Sequence, residues 1–132
     1  MKRLAPKIKR LRLPLALLIV LCWVRCVPII EPQYIVKQIT VTAYTACPEE
    51  CDADYMTNAS NTRVAIGQVA YNQAKFGTKI RLPFHFRDTF VVADRTHRRF
   101  SDRLDIYFGQ GKEAKRAAYA WGKQRAWVAI EI

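Results

Sequence analysis

Apolar and polar residues alternate along much of the chain after residue 34, which is the pattern of half-buried β-strands. In the first such stretch Ile35, Ile39 and Val41 share one face, while Thr42 and Tyr44 belong to the other. Turn-forming residues separate further short stretches of the same kind. The pattern predicts strands at residues 35–45, 64–70, 78–82, 89–94, 103–108 and 125–132.

One segment has helical periodicity instead. From about residue 112 to 121 the apolar positions follow the i, i+3, i+4, i+7 spacing of an amphipathic helix: Ala114, Ala117, Ala118 and Trp121. Gly122 is placed to end this helix. Six short strands with a single C-terminal helix predict a mainly β fold built as a small barrel.

The first 30 residues have a different character. Six basic residues precede an uninterrupted apolar run at residues 13–24, and this order is typical of a secretory signal peptide. Extension through Arg25 to residue 30 would give a membrane-spanning length, so residues 13–30 are equally well interpreted as an uncleaved anchor in the cytoplasmic membrane. Residues 31–38 are interpreted as a linker and the start of the first strand. We expect the domain to be exported, in the periplasm or otherwise outside the cytoplasm.

The net charge of +11 is concentrated in this N-terminal segment. Seven of the 22 Lys and Arg residues precede Glu31, which is the first acidic residue of the chain. From Glu31 onward the net charge is only +4. A nearly balanced, exported domain disfavours nucleic acid as a partner.

Cys47 and Cys51 are the two cysteines that follow the N-terminal segment. In an oxidising compartment they are predicted to form a short local disulfide. A metal site is disfavoured because His85 and His97 have no zinc-like spacing to these cysteines. We expect no metal, and no other cofactor is expected.

Two carboxylates are candidates for catalysis. In the strand at 103–108, alternation places Asp105 and Tyr107 on the face opposite the apolar residues, and Asp94 ends the preceding strand. If the two acids shared a cleft, burial and like charge would raise the pKa of one of them, and a protonated carboxyl can donate to a glycosidic oxygen. The structural alternative is that Asp94 caps a turn and Asp105 pairs with Arg103.

A basic cluster lies between these acids along the chain: Arg95, Arg98, Arg99 and Arg103. Guanidinium groups suit the carboxylates of a peptide stem or the phosphates of a wall polymer. A solvated loop with no binding role explains the same residues equally well.

A succession of short motifs gives the chain a family resemblance. They occur in this order: V-T-A-Y-T (41–45), T-x-A-S-x-T-R-V (57–64), V-A-Y-N (69–72), F-G-T-K-I (76–80), V-x-A-D (91–94) and R-L-D-I-Y-F-G (103–109), followed by an Ala-rich helix ending in Trp-Gly. The succession resembles the three-aspartate (3D) domain family over about residues 39–132. That family is similar to the catalytic domain of membrane-bound lytic transglycosylase A and, more distantly, to rare lipoprotein A and the expansins.

The resemblance implies a six-stranded double-psi β-barrel that acts on the glycan strands of peptidoglycan. It implies cleavage between N-acetylmuramic acid and N-acetylglucosamine, as a lytic transglycosylase or glycoside hydrolase, with Asp105 as the general acid and base. Asp94 matches the second family aspartate. The predicted substrate-binding residues are Tyr44, Thr62, Asn72, Arg95 and Tyr107, and we expect a monomer.

Two departures from the family pattern leave an alternative open. Asn72 stands where the family has its first aspartate, and the Gly-rich segment after the second is replaced by the bulkier, basic residues 95–100. An amide keeps hydrogen-bonding capacity but loses the charge. The alternative is a non-catalytic module of the same fold that binds peptidoglycan or another glycan.

Overall fold

Six strands and one helix make up the computed structural model, which describes residues 30–47 and 54–132. The elements, all within the unit Pro32–Ile132, are β1 (Tyr34–Tyr44), β2 (Gln68–Tyr71), β3 (Lys79–Arg81), β4 (Thr89–Asp94), β5 (Arg103–Tyr107), α1 (Gly111–Trp121) and β6 (Gln124–Glu131). The helix ends at Gly122 as predicted, since this residue has a φ of +64° and its N–H bonds to the Ala118 carbonyl at 3.0 Å.

The strands close into a barrel in the order β1-β5-β2-β4-β3-β6. The pairs β1/β5 and β2/β4 are parallel and the other neighbours are antiparallel. The predicted fold class is thereby confirmed: the chain is mainly β, with a closed six-stranded barrel and one short C-terminal helix. This mixed topology is compatible with a double-psi barrel.

The inward faces of the strands supply the barrel core, as the alternation predicts. Its largest fully buried side chains come from all six strands and one loop: Ile39, Val41, Val69, Tyr71, Ile80, Leu82, Val92, Leu104, Ile106 and Val128. At one rim, Trp121 of the helix packs against Phe86 and Phe108, with ring centroids 5.2 and 5.9 Å away. The helix therefore contributes to the core at its last residue.

Leu104→Ala should reduce the free energy of unfolding by about 2–5 kcal/mol, because it empties a fully buried site in the barrel. Chemical denaturation measures this loss. Val36→Ala, at a position that is 58% exposed, is the matched control and should change stability by less than about 0.5 kcal/mol. Equal effects of the two substitutions would contradict the assignment of the core.

Strand β2 is shorter than predicted. Residues 66–67 form a turn, closed by the Gln68 N–H bond to the Ala65 carbonyl at 3.2 Å, and Gly67 has a φ of +90°, which a strand does not adopt. Alternation alone does not reveal this turn, since Val64 and Ile66 fit a strand equally well.

Two predictions concern residues outside the described ranges. The N-terminal signal or anchor lies there apart from Ile30, and so does Cys51. The export segment and the Cys47–Cys51 disulfide therefore stay predictions. In the part of the chain that the structure describes, no helix is both long and apolar enough to cross a membrane.

Candidate active site

The two candidate acids lie in one row across four neighbouring strands. Thr42 of β1 is opposite Asp105 of β5, which is opposite Ala70 of β2, and Ala70 is in turn opposite Asp94 of β4. We call these four residues the acid row. Since neighbouring strands lie about 4.8 Å apart, the Cα atoms of the two acids are separated by about 10 Å. The small Ala70 between them leaves room for their carboxylates to influence each other.

A β-bulge gives Asp94 its place in this row. The register between β2 and β4 shifts between Val69 and Ala70, so Val69 pairs with Val92 while Ala70 pairs with Asp94, skipping Ala93. Strict alternation would place Asp94 on the inner face with Phe90 and Val92. Bulges redirect side chains in this way and are common beside functional sites.

Asp105 is a partly buried carboxyl without a cationic partner. The ion pairs among the described residues are Lys37–Asp102 and Lys79–Glu131, and neither includes it. The Thr42 hydroxyl donates a hydrogen bond to Asp105 Oδ1. Burial raises the pKa of Asp105, and the charge of Asp94 raises it further, while the Thr42 bond and the charge of Arg103 act in the opposite direction. The net effect is a raised pKa, so Asp105 keeps its proton to a higher pH than a solvent-exposed aspartate does.

The carboxyl group of Asp94 accepts hydrogen bonds from three donors. Its Oδ1 accepts the backbone N–H groups of Ala59 at 2.9 Å and Arg95 at 2.8 Å, and its Oδ2 accepts the Tyr44 hydroxyl at 3.3 Å. Burial and the nearby charge of Asp94 raise the pKa of Tyr44 well above its usual range. Tyr44 therefore stays protonated and donates to Asp94 at physiological pH.

Tyr107 is buried and packs against Tyr44. It is 4% exposed and belongs to a second apolar cluster with Ala46 and Val64, against which Tyr44 packs. The Tyr44 and Tyr107 ring centroids are 5.3 Å apart. Tyr44 and Tyr107, both predicted to bind substrate, are thus brought together, with Tyr107 buried and Tyr44 partly accessible.

Thr62 lies in a loop that Asn58 organises. The side-chain oxygen of Asn58 accepts hydrogen bonds from the backbone N–H groups of Thr62 and Ser60, each at 3.1 Å. Its side-chain nitrogen donates to Gln68 Oε1 at 3.1 Å. The loop then reaches the acid row, because the Ser60 N–H bonds to the Ala93 carbonyl at 3.0 Å and that of Ala59 bonds to Asp94. Nothing in the sequence singles out Asn58 beyond its turn-forming residue type.

Asn58→Ala should reduce the free energy of unfolding by about 1–3 kcal/mol, since it removes a buried side chain whose amide makes hydrogen bonds to Ser60, Thr62 and Gln68. We also expect the Ala59 amide resonance to move, which NMR of the labelled protein would record. Asn61→Gly is the matched control in the same loop. Asn61 has a φ of +63°, which glycine adopts readily, so stability should change by less than about 0.5 kcal/mol. An unmoved Ala59 amide in Asn58→Ala would contradict the role of Asn58.

Asn72 and Arg95, both predicted to bind substrate, make contacts within the protein. The Asn72 amide donates to the Phe100 carbonyl at 3.2 Å. Arg95 Nη1 donates to the carbonyls of Tyr71 and Ala74, and its guanidinium lies 4.0 Å from the centre of the Phe76 ring. Both side chains therefore fasten the loop after β4 to the segment after β2.

A cavity of about 470 Å³ opens near the other end of β1, away from the acid row. Its lining includes Ile35, Lys37, Gln73, Ile130 and Glu131, and neither candidate acid. Among the described residues, no group of three or more His, Cys, Asp or Glu side chains is arranged to hold a metal ion.

No protein-family model matches the sequence, and a search of curated proteins finds no significant relative.

Proposed function

We propose that this domain cleaves the glycan strands of peptidoglycan between N-acetylmuramic acid and N-acetylglucosamine, with Asp105 as the general acid. The supporting observation is the state of Asp105: partly buried, bonded to a hydroxyl rather than to a cation, and separated from Asp94 in the acid row by Ala70 alone. The succession of motifs that resembles the 3D domain supports the choice of substrate.

In this mechanism Asp105 protonates the glycosidic oxygen as the bond from that oxygen to the muramyl anomeric carbon breaks. The resulting carboxylate then accepts the proton of the muramyl 6-hydroxyl, whose oxygen attacks the anomeric carbon and forms a 1,6-anhydro ring. Attack by water in place of the 6-hydroxyl gives hydrolysis. Asp94, fixed by Tyr44 and the Ala59 amide, orients the sugar, and its charge adds to the effect of burial in raising the pKa of Asp105.

The proposed setting is the outer side of the cytoplasmic membrane. The basic and apolar N-terminal segment supports export, with the domain either released or held by residues 13–30. This placement gives the domain access to peptidoglycan, and no nucleic acid partner is proposed.

One observation favours a second candidate, a module that binds the glycan without cleaving it. Asn72 replaces a family aspartate, and its amide is engaged by the Phe100 carbonyl rather than facing the acid row as a charged group. The barrel and the loop would then present a surface for the glycan, with no proton transfer at Asp105.

Digestion of purified glycan strands separates the two candidates. Products with 1,6-anhydro ends that disappear in Asp105→Asn support the lytic enzyme, and new reducing ends support hydrolysis. Asp88→Asn, in an exposed loop, is the control that should leave the products unchanged. Retention of the protein on insoluble wall without any product, equal in the wild type and Asp105→Asn, would contradict cleavage and support the binding module.

A further inference from the structure

Two arginines lie against one aromatic ring at the start of β5. The guanidinium carbons of Arg103 and Arg99 lie 3.6 and 4.6 Å from the centre of the Phe100 ring. The backbone here is fastened to the segment after β2, because the amide groups of Asn72 and Gln73 donate to the carbonyls of Phe100 and Ser101. Ring contacts and backbone hydrogen bonds therefore position the two guanidinium groups, which distinguishes them from arginines on an unrestrained, solvated loop.

The charges of Arg99 and Arg103 are not balanced by any acid at ion-pairing distance in the described part of the chain. Asp102 is their neighbour in sequence, but its carboxylate pairs with Lys37 of β1 at 3.3 Å. Stacking on one ring brings like charges together, which is unfavourable unless an anion offsets them. Guanidinium groups bind planar carboxylates and phosphates through paired hydrogen bonds.

We propose that Arg99 and Arg103, positioned by Phe100, form a binding site for an oxyanion, a carboxylate or phosphate group carried by the polymer on which the domain acts. Arg103 and Asp105 are two residues apart on β5, so their side chains share a face about 7 Å apart along the strand. The site can bind an oxyanion whether or not the domain cleaves glycan. That this binding places a wall polymer across the acid row rests on the proposed function. Carboxylates occur on peptide stems and phosphates on wall polymers, and both present the same chemistry to the arginines.

An anion bound at this site would also change the pKa of Asp105. The charge of Arg103 lowers the pKa of Asp105, so a bound anion that offsets this charge lets the pKa rise. Anionic substrate would thereby favour the protonated acid that cleavage requires.

Titration of the labelled full chain with inorganic phosphate and with acetate tests the site by NMR of the arginine Nε–H groups. We expect saturable shifts at Arg99 and Arg103, and binding weakened about 10-fold in Arg103→Gln and in Arg99→Gln. Arg98→Gln removes the same charge from the same loop, without a ring contact, and should change binding less than about twofold. Binding weakened equally by all three substitutions, or shifts that never saturate, would overturn the proposal. Arg99 is exposed, so its variant keeps the test valid if Arg103→Gln fails to fold.

Wall preparations distinguish the source of the anion. Loss of retention after removal of the phosphate polymer identifies phosphate, and loss after amidation of the stem carboxylates identifies carboxylate. Retention that is insensitive to both treatments and to Arg103→Gln would overturn the site. Asp105→Asn should bind phosphate at least as tightly as the wild type, because it removes a negative charge beside the site, so a failure of cleavage and a failure of this site remain distinguishable.

Discussion

Replacing Asp105 by asparagine is expected to slow glycan cleavage by at least about 100-fold, because general acid catalysis contributes about that much or more. An asparagine carbonyl can still accept the Thr42 hydrogen bond, so the acid row should keep its geometry while losing its proton donor. The rate is measured as the release of anhydro or reducing ends from purified strands. A residual rate within a few-fold of the wild type would contradict the role of Asp105.

The same substitution should make the protein more stable at neutral pH. The pKa of Asp105 is raised in the folded state, so the stability that its carboxyl provides is present below the unfolded pKa of about 3.9 and is lost as the pH rises through the folded value. Asparagine does not ionise and avoids this loss. Denaturation at a series of pH values should show an advantage of Asp105→Asn at neutral pH that disappears in acid. An advantage that is independent of pH would point to a packing effect instead.

Replacing Asp94 by asparagine is expected to slow cleavage by about 10- to 100-fold at neutral pH and to move the pH profile. The charge of Asp94 raises the pKa of Asp105, so its removal lowers that pKa. Cleavage needs protonated Asp105, and the rate therefore falls as the pH rises through this pKa. The descending limb of the profile should move to lower pH in Asp94→Asn.

Arg103→Gln should move the pH profile of cleavage in the opposite direction. The positive charge of Arg103 lowers the pKa of Asp105, and its removal should move the descending limb to higher pH. Asp88→Asn, which removes an exposed charge elsewhere, should leave the limb in place. Movement of the limb in the same direction in Asp94→Asn and Arg103→Gln would contradict electrostatic control of Asp105.

Local alternation predicted much of this barrel. The bounds of β4 agree with the prediction, and the inward positions of β5, Leu104 and Ile106, are buried as expected while Asp105 is on the other face. These features depend on the period of two in a strand, which a sequence shows directly. The order of the strands is not local, because it depends on which inward faces pack together, and it could not be predicted from alternation.

The parts of the site that the sequence did not reveal arise from contacts between distant segments. The bulge that brings Asp94 beside Ala70 is a property of the pairing of β2 with β4. The role of Asn58 depends on the approach of its loop to β4. The sequence does not distinguish the four arginines of the basic cluster from one another. The folded chain shows that Arg95 bonds to carbonyls, whereas Arg99 and Arg103 lie against Phe100.

The protonation of Asp105 can be followed directly by ¹³C NMR of its carboxyl carbon during a pH titration, with the urea-unfolded protein as the reference. A midpoint above the unfolded value of about 3.9 is the predicted result, and it should move down in Asp94→Asn. A midpoint at or below the reference would show an anion stabilised by its surroundings. Such a carboxylate could not protonate a glycosidic oxygen, and cleavage by this domain would have to be abandoned.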